Sequence, residues 1–359
     1  MEQIPIIIPA YEPDERLIVL LKQCRENGLG PIILVNDGSG SAYSDIFEEA
    51  ETLIVNAGGV VLTHIGNMGK GRALKTGFLH VINHCPEAMG VVTADSDGQH
   101  TAECINSVAT VLKSHPNSLV LGVRQFDEEG IPWKSRFGNA LTEKVFAYIT
   151  GVHVSDTQTG LRGIPKEFMK ELLAIAGERF EFEMQMLLEC VGKYDITEVS
   201  IKTIYDSEEN HQTHFNPVKD SVKIYRLLGK RFITYIFSSF SSSIIDLLLF
   251  AVLCYWLNGK SENWYVAVST VLARMVSATY NYFINYKFVF HSKESIGLAG
   301  MKYALLAILQ MCASALLVTF FVKIFDMIPE VTIKAVVDIA LFFISYHIQQ
   351  QYVFSKKNF

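Results

Sequence analysis

Four long apolar stretches fill the last third of the chain, and they constrain its fold more than any other feature. They cover residues 232–257, 264–286, 303–322 and 331–354. About 20 mostly apolar helical residues cross a bilayer core about 30 Å thick, so each stretch is long enough to span a membrane. Buried helices of a large soluble core are the alternative. Four stretches in succession with short links, and aromatic residues such as Trp256 near the proposed interfaces, favour an all-α transmembrane domain of four helices.

The charge content divides the chain into two parts. Asp, Glu, Lys and Arg make up 13 of the 123 residues from Phe232 to Phe354 and 55 of the other 236, about 11% against 23%. We therefore expect a soluble domain over 1–218, a basic juxtamembrane segment over 219–231 and the membrane domain over 232–359. The N-terminal MEQIPIII lacks the basic region and long apolar core of a secretory signal, which predicts a soluble domain in the cytoplasm.

The overall composition excludes several classes of protein. A net charge of −6 and a pI near 5.9 argue against a general nucleic-acid binder, which needs a basic face. The six cysteines have no paired spacing and form no cluster with histidine. They therefore predict reduced, buried thiols and neither a disulfide scaffold nor a zinc site.

Positive charges predict the orientation in the membrane. They crowd the segment before the first stretch, the link between the second and third, and the end of the chain. These residues are Lys219, Lys223, Arg226, Lys230, Arg231, Lys287, Lys293, Lys302, Lys356 and Lys357. Because positive residues collect on the cytoplasmic side, a multi-pass plasma-membrane protein with both termini in the cytoplasm is expected.

The membrane half repeats itself. NYFINYKFVF at 281–290 and SYHIQQQYVF at 345–354 share Tyr, Ile, Val and Phe in register, which predicts two copies of a helical hairpin. Over residues 229–356 this layout resembles the GtrA-like family of four-span proteins, which is often linked to lipid-carried sugars. Charges within the stretches include Asp246, Arg274 and Asp338, with Lys334 just inside the fourth. They indicate either a polar path inside the bundle or structural ion pairs and snorkelling side chains.

The soluble half alternates short β-rich runs with helical periods from residue 4 to about 123. This alternation predicts a mostly parallel sheet wrapped by helices, and ligands of such sheets lie beyond the carboxyl ends of the strands. Polar residues follow three of the predicted strands, with Asp95 and Asp97 after the run that begins at Gly90. Side chains two residues apart at a strand end can point the same way, and paired carboxylates suit Mg²⁺ or Mn²⁺.

Four segments occur in order at these positions: IPAYEPD, VNDGSG, NMGKGRALKTGF and TADSDGQH. As a set they resemble the family 2 glycosyltransferases, and within them the polyprenyl-phosphate sugar synthases related to dolichyl-phosphate mannose synthase. The resemblance covers residues 4–230 and implies an α/β nucleotide-sugar (GT-A, Rossmann-like) catalytic domain. Two details depart from the commonest patterns: Asn36 replaces the first Asp of Asp-Asp-Gly-Ser, and Glu12-Pro13 replaces Asn-Glu.

The resemblance implies a donor site at the strand ends. Its expected members are Pro9, Ala10, Tyr11, Glu12, Asp37, Lys70, Asp95, Ser96, Gln99, Arg124 and His214. Asp95 and Asp97 would hold the metal, and Arg124 would meet the diphosphate. Lys70 is either a mobile positive charge for the phosphates or a solvated surface lysine. The glycines that flank it allow a tight turn into a helix whose N-terminus favours a phosphate.

The same resemblance nominates Asp97, Arg136, Asp156 and Arg162 as catalytic residues. Arg136 matches the arginine that meets the lipid phosphate, with a surface charge as the alternative. DTQTGLR at 156–162 places Asp156 and Arg162 around the reacting centre, and Glu181 and Glu183 further on are expected to line the sugar pocket. A phosphomonoester with a second pKa near about 6 is already largely ionised at neutral pH. We therefore interpret Asp156 as a weak base or a positioner of the acceptor.

Two functions from different classes follow. The first is an inverting, metal-dependent transfer of a hexose from a UDP- or GDP-linked donor to dolichyl or undecaprenyl phosphate, with the basic segment against anionic lipids. The second is a translocator of lipid-linked sugars with a nucleotide-sugar-sensing soluble domain. A processive polysaccharide synthase is disfavoured because no Gln-x-x-Arg-Trp segment is present. KEFMKELLAI at 166–175 is expected either at the membrane interface or on the domain core. Association into a homo-oligomer is left open.

Overall fold

The computed structural model describes residues 4–124, 133–202, 219–257, 265–290, 292, 294–325 and 327–354. The chain divides into two compact units. Met1–Ala147 and Val152–Leu227 form the first, and Tyr148–Gly151 and Leu228–Phe359 form the second. The division at Leu227 falls inside the predicted basic segment 219–231. That segment is the beginning of one continuous helix, Lys219–Leu257, and is therefore not a separate linker.

The first unit is built on a sheet of seven strands in the described residues. They are β1 (Ile6–Ala10), β2 (Ile32–Asn36), β3 (Val60–Thr63), β4 (Gly90–Thr93), β5 (Ser118–Arg124), β6 (Arg162–Pro165) and β7 (Asp195–Ile201). The strand order is β3-β2-β1-β4-β6-β5-β7. All neighbouring pairs are parallel except those of β6, which runs antiparallel to both β4 and β5. The expected mixed α/β architecture with a mostly parallel sheet is confirmed.

Seven α-helices of the described residues pack around this sheet. They are α1 (Glu15–Glu26), α2 (Ser44–Ile54), α3 (Lys70–His84), α4 (Ala102–Ser114), α5 (Trp133–Thr150), α6 (Lys166–Leu172) and α7 (Glu181–Cys190). Helix α1 begins where the Asp14 side chain accepts a hydrogen bond from the amide of Arg16, which satisfies one unpaired N–H of the first turn. Its apolar stripe, including Leu17, Leu21 and Cys24, is fully buried, as the helical spacing predicts.

Helix α6 resolves the two interpretations of the segment 166–175. Phe168, Met169 and Leu172 are at most 1% exposed and pack inside the first unit. The interfacial interpretation is therefore wrong, because the apolar face that would enter a membrane is already covered. All six cysteines are free, and Cys24 is among the buried ones, but Cys312 is exposed, so burial was correctly expected for only part of the set.

The second unit contains four long helices in its described part: α8 (Lys219–Leu257), α9 (Tyr265–Ile284), α10 (Ile296–Ile324) and α11 (Glu330–Ile348). Three segments are long and apolar enough to cross a membrane, namely Phe232–Leu257, Ile296–Ile324 and Thr332–Val353. The predicted stretch 264–286 does form a helix, but α9 is not among these three. Four helices are thus present, and three of the four predicted spans are supported by length and composition.

The predicted internal repeat is visible in the backbone. Helix α9 continues into a π-helical turn at Asn285–Val289, and α11 continues into another at Gln349–Val353. These turns begin at equivalent positions of the two repeated segments, and such local widenings of a helix are rare. Their recurrence in register supports two copies of one helical hairpin.

The charges within the membrane unit form ion pairs. Arg274 lies 3.2 Å from Asp246, and Lys334 lies 2.8 Å from Asp338. Each carboxylate also accepts a serine hydroxyl, from Ser277 at 2.8 Å and from a serine of α10 at 2.6 Å. The interpretation as structural ion pairs therefore agrees with the structure.

Candidate functional site

The candidate site lies where β2, β1 and β4 end side by side. The backbone joins these strand ends, since the amide of Asp37 donates to the carbonyl of Ala10 at 2.8 Å. The amide of Glu12 donates to the hydroxyl of Ser39 at 2.9 Å. The segments after three adjacent strands thus meet at one edge of the sheet, where ligands of such folds bind. The sequence predicted this meeting, although it gave no indication of the role of Ser39.

At the end of β1, the four predicted residues differ in their accessibility. Pro9 and Ala10 are buried in the strand, and their expected contact with the donor stays a prediction. Tyr11 and Glu12 are half-buried. A hydrogen bond with Glu12, followed by burial, raises the pKa of Tyr11.

Glu12 has an unusual backbone conformation. Its φ of 50° is the only positive value at a non-glycine residue in the described part of the chain. The residue before a proline ordinarily adopts an extended conformation, and Pro13 follows. Strained residues of this kind are often found at functional sites, where the surrounding structure holds them in place. The departure of Glu12-Pro13 from the common pattern therefore coincides with a strained turn at the site edge.

Asp37 is turned inward. Only 3% of the residue is exposed, and its carboxylate accepts the amides of Met68 at 3.0 Å and Gly69 at 2.7 Å. Nδ1 of His64 lies 2.7 Å from the same carboxylate. In this structure the oxygens of Asp37 hold the loop that leads into α3, and its expected place in the donor site stays a prediction. The sequence gave no indication that His64 takes part.

The start of α3 has no room for side chains at two glycines. At Gly69, with φ of 102°, an added Cβ would lie 2.4 Å from the carbonyl oxygen of Glu178. At Gly71 it would lie 2.6 Å from Cβ of Phe182. The expected tight turn is therefore present and is enforced by close packing against the segment before α7. The first residue of the helix, Lys70, projects from this turn.

Asp95, Ser96, Asp97 and Gln99 follow β4 and are all half-buried, so they are accessible from the site edge. The carboxylate of Asp97 accepts the backbone amide of Gln99 at 3.1 Å. Nζ of Lys70 lies 2.6 Å from the carboxylate of Asp95. The same ammonium lies 2.9 Å from the carboxylate of Glu183, which is on α7. Lys70 therefore joins two acids and is not a freely solvated lysine.

The two acids after β4 have pKa values shifted in opposite directions. Burial alone would raise the pKa of Asp95, but the positive charge of Lys70, and then that of His100, outweighs it and lowers the pKa. Burial and then the negative charge of Asp95 raise the pKa of Asp97. A carboxylate pair of this kind is what a bound cation would stabilise, since an opposite charge nearby favours the ionised form.

The chemistry of this edge fits a divalent cation. Asp95 and Asp97 supply hard oxygen ligands, and the Lys70 ammonium shows that a positive charge is accommodated at Asp95. In the described part of the chain, no group of three or more His, Cys, Asp or Glu side chains is arranged to hold a metal ion. At phosphates, Mg²⁺ usually takes further ligands from the substrate and from water.

Gly160 lies directly against Asp95, which the sequence did not reveal. A Cβ at this position would be 2.3 Å from a carboxylate oxygen of Asp95. The hydroxyl of Thr93 donates to the carbonyl of Gly160 at 2.8 Å and fixes the approach. The DTQTG segment therefore forms one wall of the acid site.

Asp156 and Arg124 form an ion pair beside this wall. Nε and Nη2 of Arg124 donate to the two carboxylate oxygens of Asp156 at 2.7 and 3.0 Å. The Asp156 side chain is 0% exposed, whereas that of Arg124 is 17% exposed. The buried carboxylate of Asp156 is thus already engaged by a cation of the protein, and its expected role as a weak base or acceptor positioner stays a prediction. Its carboxylate holds the guanidinium of Arg124, which is the more accessible partner.

Arg162 is also enclosed. It is 1% exposed, and its guanidinium donates to the carbonyl oxygens of Thr159 at 2.8 Å and Glu183 at 2.7 Å. Arg162 thus ties the DTQTG segment to α7, and its expected role near the reacting centre stays a prediction. Arg136 lies in α5, but its side chain is outside the described residues, as is the whole of His214. Both stay predictions.

Two family models match separate parts of the chain. Residues 6–173 match the family model "Glycosyl transferase family 2". Residues 234–354 match "GtrA/DPMS, transmembrane domain". The two matches do not overlap, and they correspond to the first and second units of the structure.

Two relatives and one solved structure are similar to this chain to the following extents. UDP-N-acetylglucosamine–dolichyl-phosphate N-acetylglucosaminyltransferase of Methanococcus voltae is 28% identical over 56% of this chain and 85% of its own length. Dolichyl-phosphate beta-glucosyltransferase ALG5D of Trichomonas vaginalis is 25% identical over 55% of this chain and 65% of its own. A solved structure described as mannosyltransferase PcManGT of Pyrobaculum calidifontis with GDP-Man and Mn²⁺ aligns over 98% of this chain and 87% of its own length. Its identity is 12% and its TM-score 0.40, which is too low to support an argument about the site.

Proposed function

We propose that this chain, which joins a glycosyl transferase family 2 domain to a GtrA/DPMS transmembrane domain, transfers a hexose from a nucleotide-sugar to a membrane polyprenyl phosphate. The observation that carries the proposal is the accessible acid pair Asp95 and Asp97 at the carboxyl edge of β4. Two relatives whose names specify dolichyl phosphate as acceptor support this choice of acceptor. Their names specify different sugars, so the donor is proposed only as a UDP- or GDP-linked hexose.

Asp95 and Asp97 would hold Mg²⁺ or Mn²⁺, which when bound neutralises the diphosphate as it leaves. The Arg124 guanidinium, held by Asp156, faces the same edge and is positioned to interact with anionic oxygens. Tyr11 and Glu12, half-buried at the end of β1, line the side of the site where β2 also ends. The donor would therefore lie across the ends of β2, β1 and β4.

The acceptor needs little activation. A phosphomonoester with a second pKa of about 6 is largely ionised at neutral pH, so attack does not depend on a strong general base. This agrees with the enclosure of Asp156, whose oxygens are both engaged by Arg124. We propose that positioning and charge stabilisation carry the reaction, with Arg136 meeting the lipid phosphate. Direct attack on the anomeric carbon would invert its configuration.

The membrane unit would bring the enzyme to its lipid acceptor. Three described segments are suited to cross a bilayer, and we propose α9 as a fourth span with both termini in the cytoplasm. A long polyprenyl chain can remain in the bilayer while its phosphate reaches the acids of the soluble unit. One domain would carry out the transfer and the other would hold the enzyme at its lipid acceptor, which would explain why one chain carries both.

Transfer of radiolabel into the organic phase tests the proposal. Purified full-length protein in lipid nanodiscs receives labelled UDP- and GDP-hexoses, polyprenyl phosphate and Mn²⁺, and organic-soluble label is expected with at least one donor. Asp97→Asn should abolish transfer, whereas Asp45→Asn, which removes an exposed carboxylate of α2, should not. Label that remains aqueous with every donor contradicts the proposal. Lipid-linked sugar movement across vesicles without transfer would instead support the translocator.

A further inference from the structure

Lys70 occupies a position between two carboxylates at the acid site. Its ammonium lies 2.6 Å from Asp95 and 2.9 Å from Glu183. The three side chains are 17%, 24% and 9% exposed, respectively, so the arrangement is largely shielded but open at Asp95. Charge-assisted hydrogen bonds of this length are among the stronger polar contacts in proteins.

A divalent cation on Asp95 and Lys70 in its present position would compete. Oxygen ligands lie about 2.0–2.1 Å from Mg²⁺. An ammonium 2.6 Å from the same carboxylate would place two positive centres within a few ångströms of each other in a partly buried site, where their repulsion is weakly screened. Lys70 in this position therefore opposes the binding of a cation to Asp95.

Glu183 gives the displaced ammonium a second partner. It lies on α7, whereas Asp95 follows β4, so the two acids belong to separate elements that Lys70 bridges. When Lys70 leaves Asp95, the contact with Glu183 keeps its charge beside the site. The diphosphate of a donor would then supply the negative charge that the ammonium has lost.

Lys70 is not needed to hold the start of α3 in place. The start of α3 is already held by other contacts, because Asp37 accepts the amide of Gly69 and the carbonyl of Glu178 accepts that of Arg72. Lys75, on the same helix, has the burial and the contacts that are expected of a structural lysine. It is 7% exposed, and it donates to the carbonyl of Ile175 and contacts Glu178.

We propose that Lys70 holds the place of the divalent cation at Asp95 in the donor-free enzyme. Cation and donor diphosphate then bind cooperatively, because the cation displaces Lys70 and the diphosphate gives it a new partner. This inference rests on the proposed metal-dependent transfer and adds to it an order of events: neither ligand binds as tightly alone as with the other. By linkage, the factor by which each raises the affinity of the other is the same.

Titration of Mn²⁺ by electron paramagnetic resonance tests the inference in full-length protein, with and without UDP or GDP. Without nucleotide, Lys70→Met should bind Mn²⁺ about tenfold more tightly than the original protein, which corresponds to about 1.4 kcal/mol. The enhancement of Mn²⁺ affinity by nucleotide should be smaller in this variant. Lys22→Met is the matched control, since Lys22 also pairs with a glutamate at 3.0 Å but on the exposed surface, and its Mn²⁺ affinity should be unchanged.

A second variant tests whether Glu183 acts through Lys70 or is itself a ligand of the cation. Glu183→Gln should weaken Mn²⁺ binding, because Lys70 is left with Asp95 alone, and it should have no further effect once Lys70 is methionine. An effect that persists in the double variant overturns this explanation. If the original protein binds Mn²⁺ and transfers sugar while Lys70→Met binds Mn²⁺ no more tightly, the inference fails and the proposed function stands. If no variant binds Mn²⁺ with either nucleotide, both fail.

Discussion

The side-chain amide of Asn285 donates a hydrogen bond to the side-chain oxygen of Gln349 at 3.0 Å, and these two residues begin the equivalent π-helical turns of the membrane unit. Both are buried, with 0% and 4% exposed. Around them, hydrogen bonds connect polar side chains from all four long helices of the unit: Tyr235, Ser238, Asn281, Tyr303 and Ser345. The centre of the repeat is therefore a satisfied polar network.

Replacing Asn285 by leucine should destabilise the membrane unit by about 1–3 kcal/mol, because buried partners such as Ser238 and Gln349 lose hydrogen bonds. The detergent-solubilised protein is heated, and size-exclusion chromatography measures the fraction that has not aggregated at each temperature. Ser243→Ala is the control, since this exposed hydroxyl donates only locally, to the carbonyl of Ser239. Equal stability of the two variants would contradict the assignment of a structural network.

Neutralising the two site acids should change stability in opposite directions. The pKa of Asp97 is raised in the folded protein, so the free energy of unfolding decreases as the pH rises above the ordinary pKa of 3.8 and the carboxyl ionises. Asp97→Asn removes this penalty and should raise the melting temperature at pH 7 in EDTA, by roughly 2–4 °C per kcal/mol gained. This variant should nevertheless lose Mn²⁺ binding.

Asp95→Asn should instead lower the melting temperature at pH 7. The pKa of Asp95 is lowered in the folded protein, so it contributes stability that is present above the ordinary pKa of 3.8 and is lost as the pH falls through the pKa of the folded protein. The difference between the original protein and this variant should therefore shrink in acid. Differential scanning fluorimetry across a pH series measures both variants, and shifts of the same sign at pH 7 would show that the charge assignments are wrong.

Asp156→Asn should reduce transfer by loosening Arg124, and not by removing a base. We expect a higher KM for the nucleotide-sugar, an unchanged shape of the pH profile of kcat, and a loss of up to about 3–5 kcal/mol of stability, as for other broken buried ion pairs. Steady-state kinetics over a pH range separates the two roles. Loss of the acidic limb of the profile would restore Asp156 as the base, and Asp195→Asn, at an exposed carboxylate, serves as the control.

Arg274 and Asp246 should show energetic coupling. Leucine at position 274 leaves the Asp246 carboxylate, 18% exposed, without its cation in an apolar stretch, where charges are costly. Removing both charges should therefore harm expression and thermal stability less than removing Arg274 alone. A double-mutant cycle on the detergent-solubilised protein measures the coupling. Additive losses would mean that the ion pair contributes nothing.

Much of the sheet was predictable because β1 to β5 are short apolar runs bounded by polar turns. The strands β6 and β7 were not predicted. The sequence of β6 is only Arg-Gly-Ile-Pro, too short for any alternation, and its antiparallel insertion between β4 and β5 depends on tertiary packing. Local sequence carries little information of that kind.

The sequence predicted which residues lie at the site better than it predicted where their side chains point. Strand ends place Asp37 and Asp95 near one edge, but position alone does not tell which carboxylate faces inward. Asp37 and Asp156 are satisfied by protein donors, whereas Asp95 stays accessible. The contact between Lys70 and Glu183 joins residues far apart in the chain, and no spacing rule indicates such a pair.

The contact between Gly160 and Asp95 limits how such an enzyme can diversify. Every side chain larger than hydrogen at 160 would strike the carboxylate, so even alanine should displace an acid on which the reaction depends. New sugar preferences would therefore have to arise from changes at other walls of the cleft. This one position should be closed to variation in any descendant that keeps the chemistry.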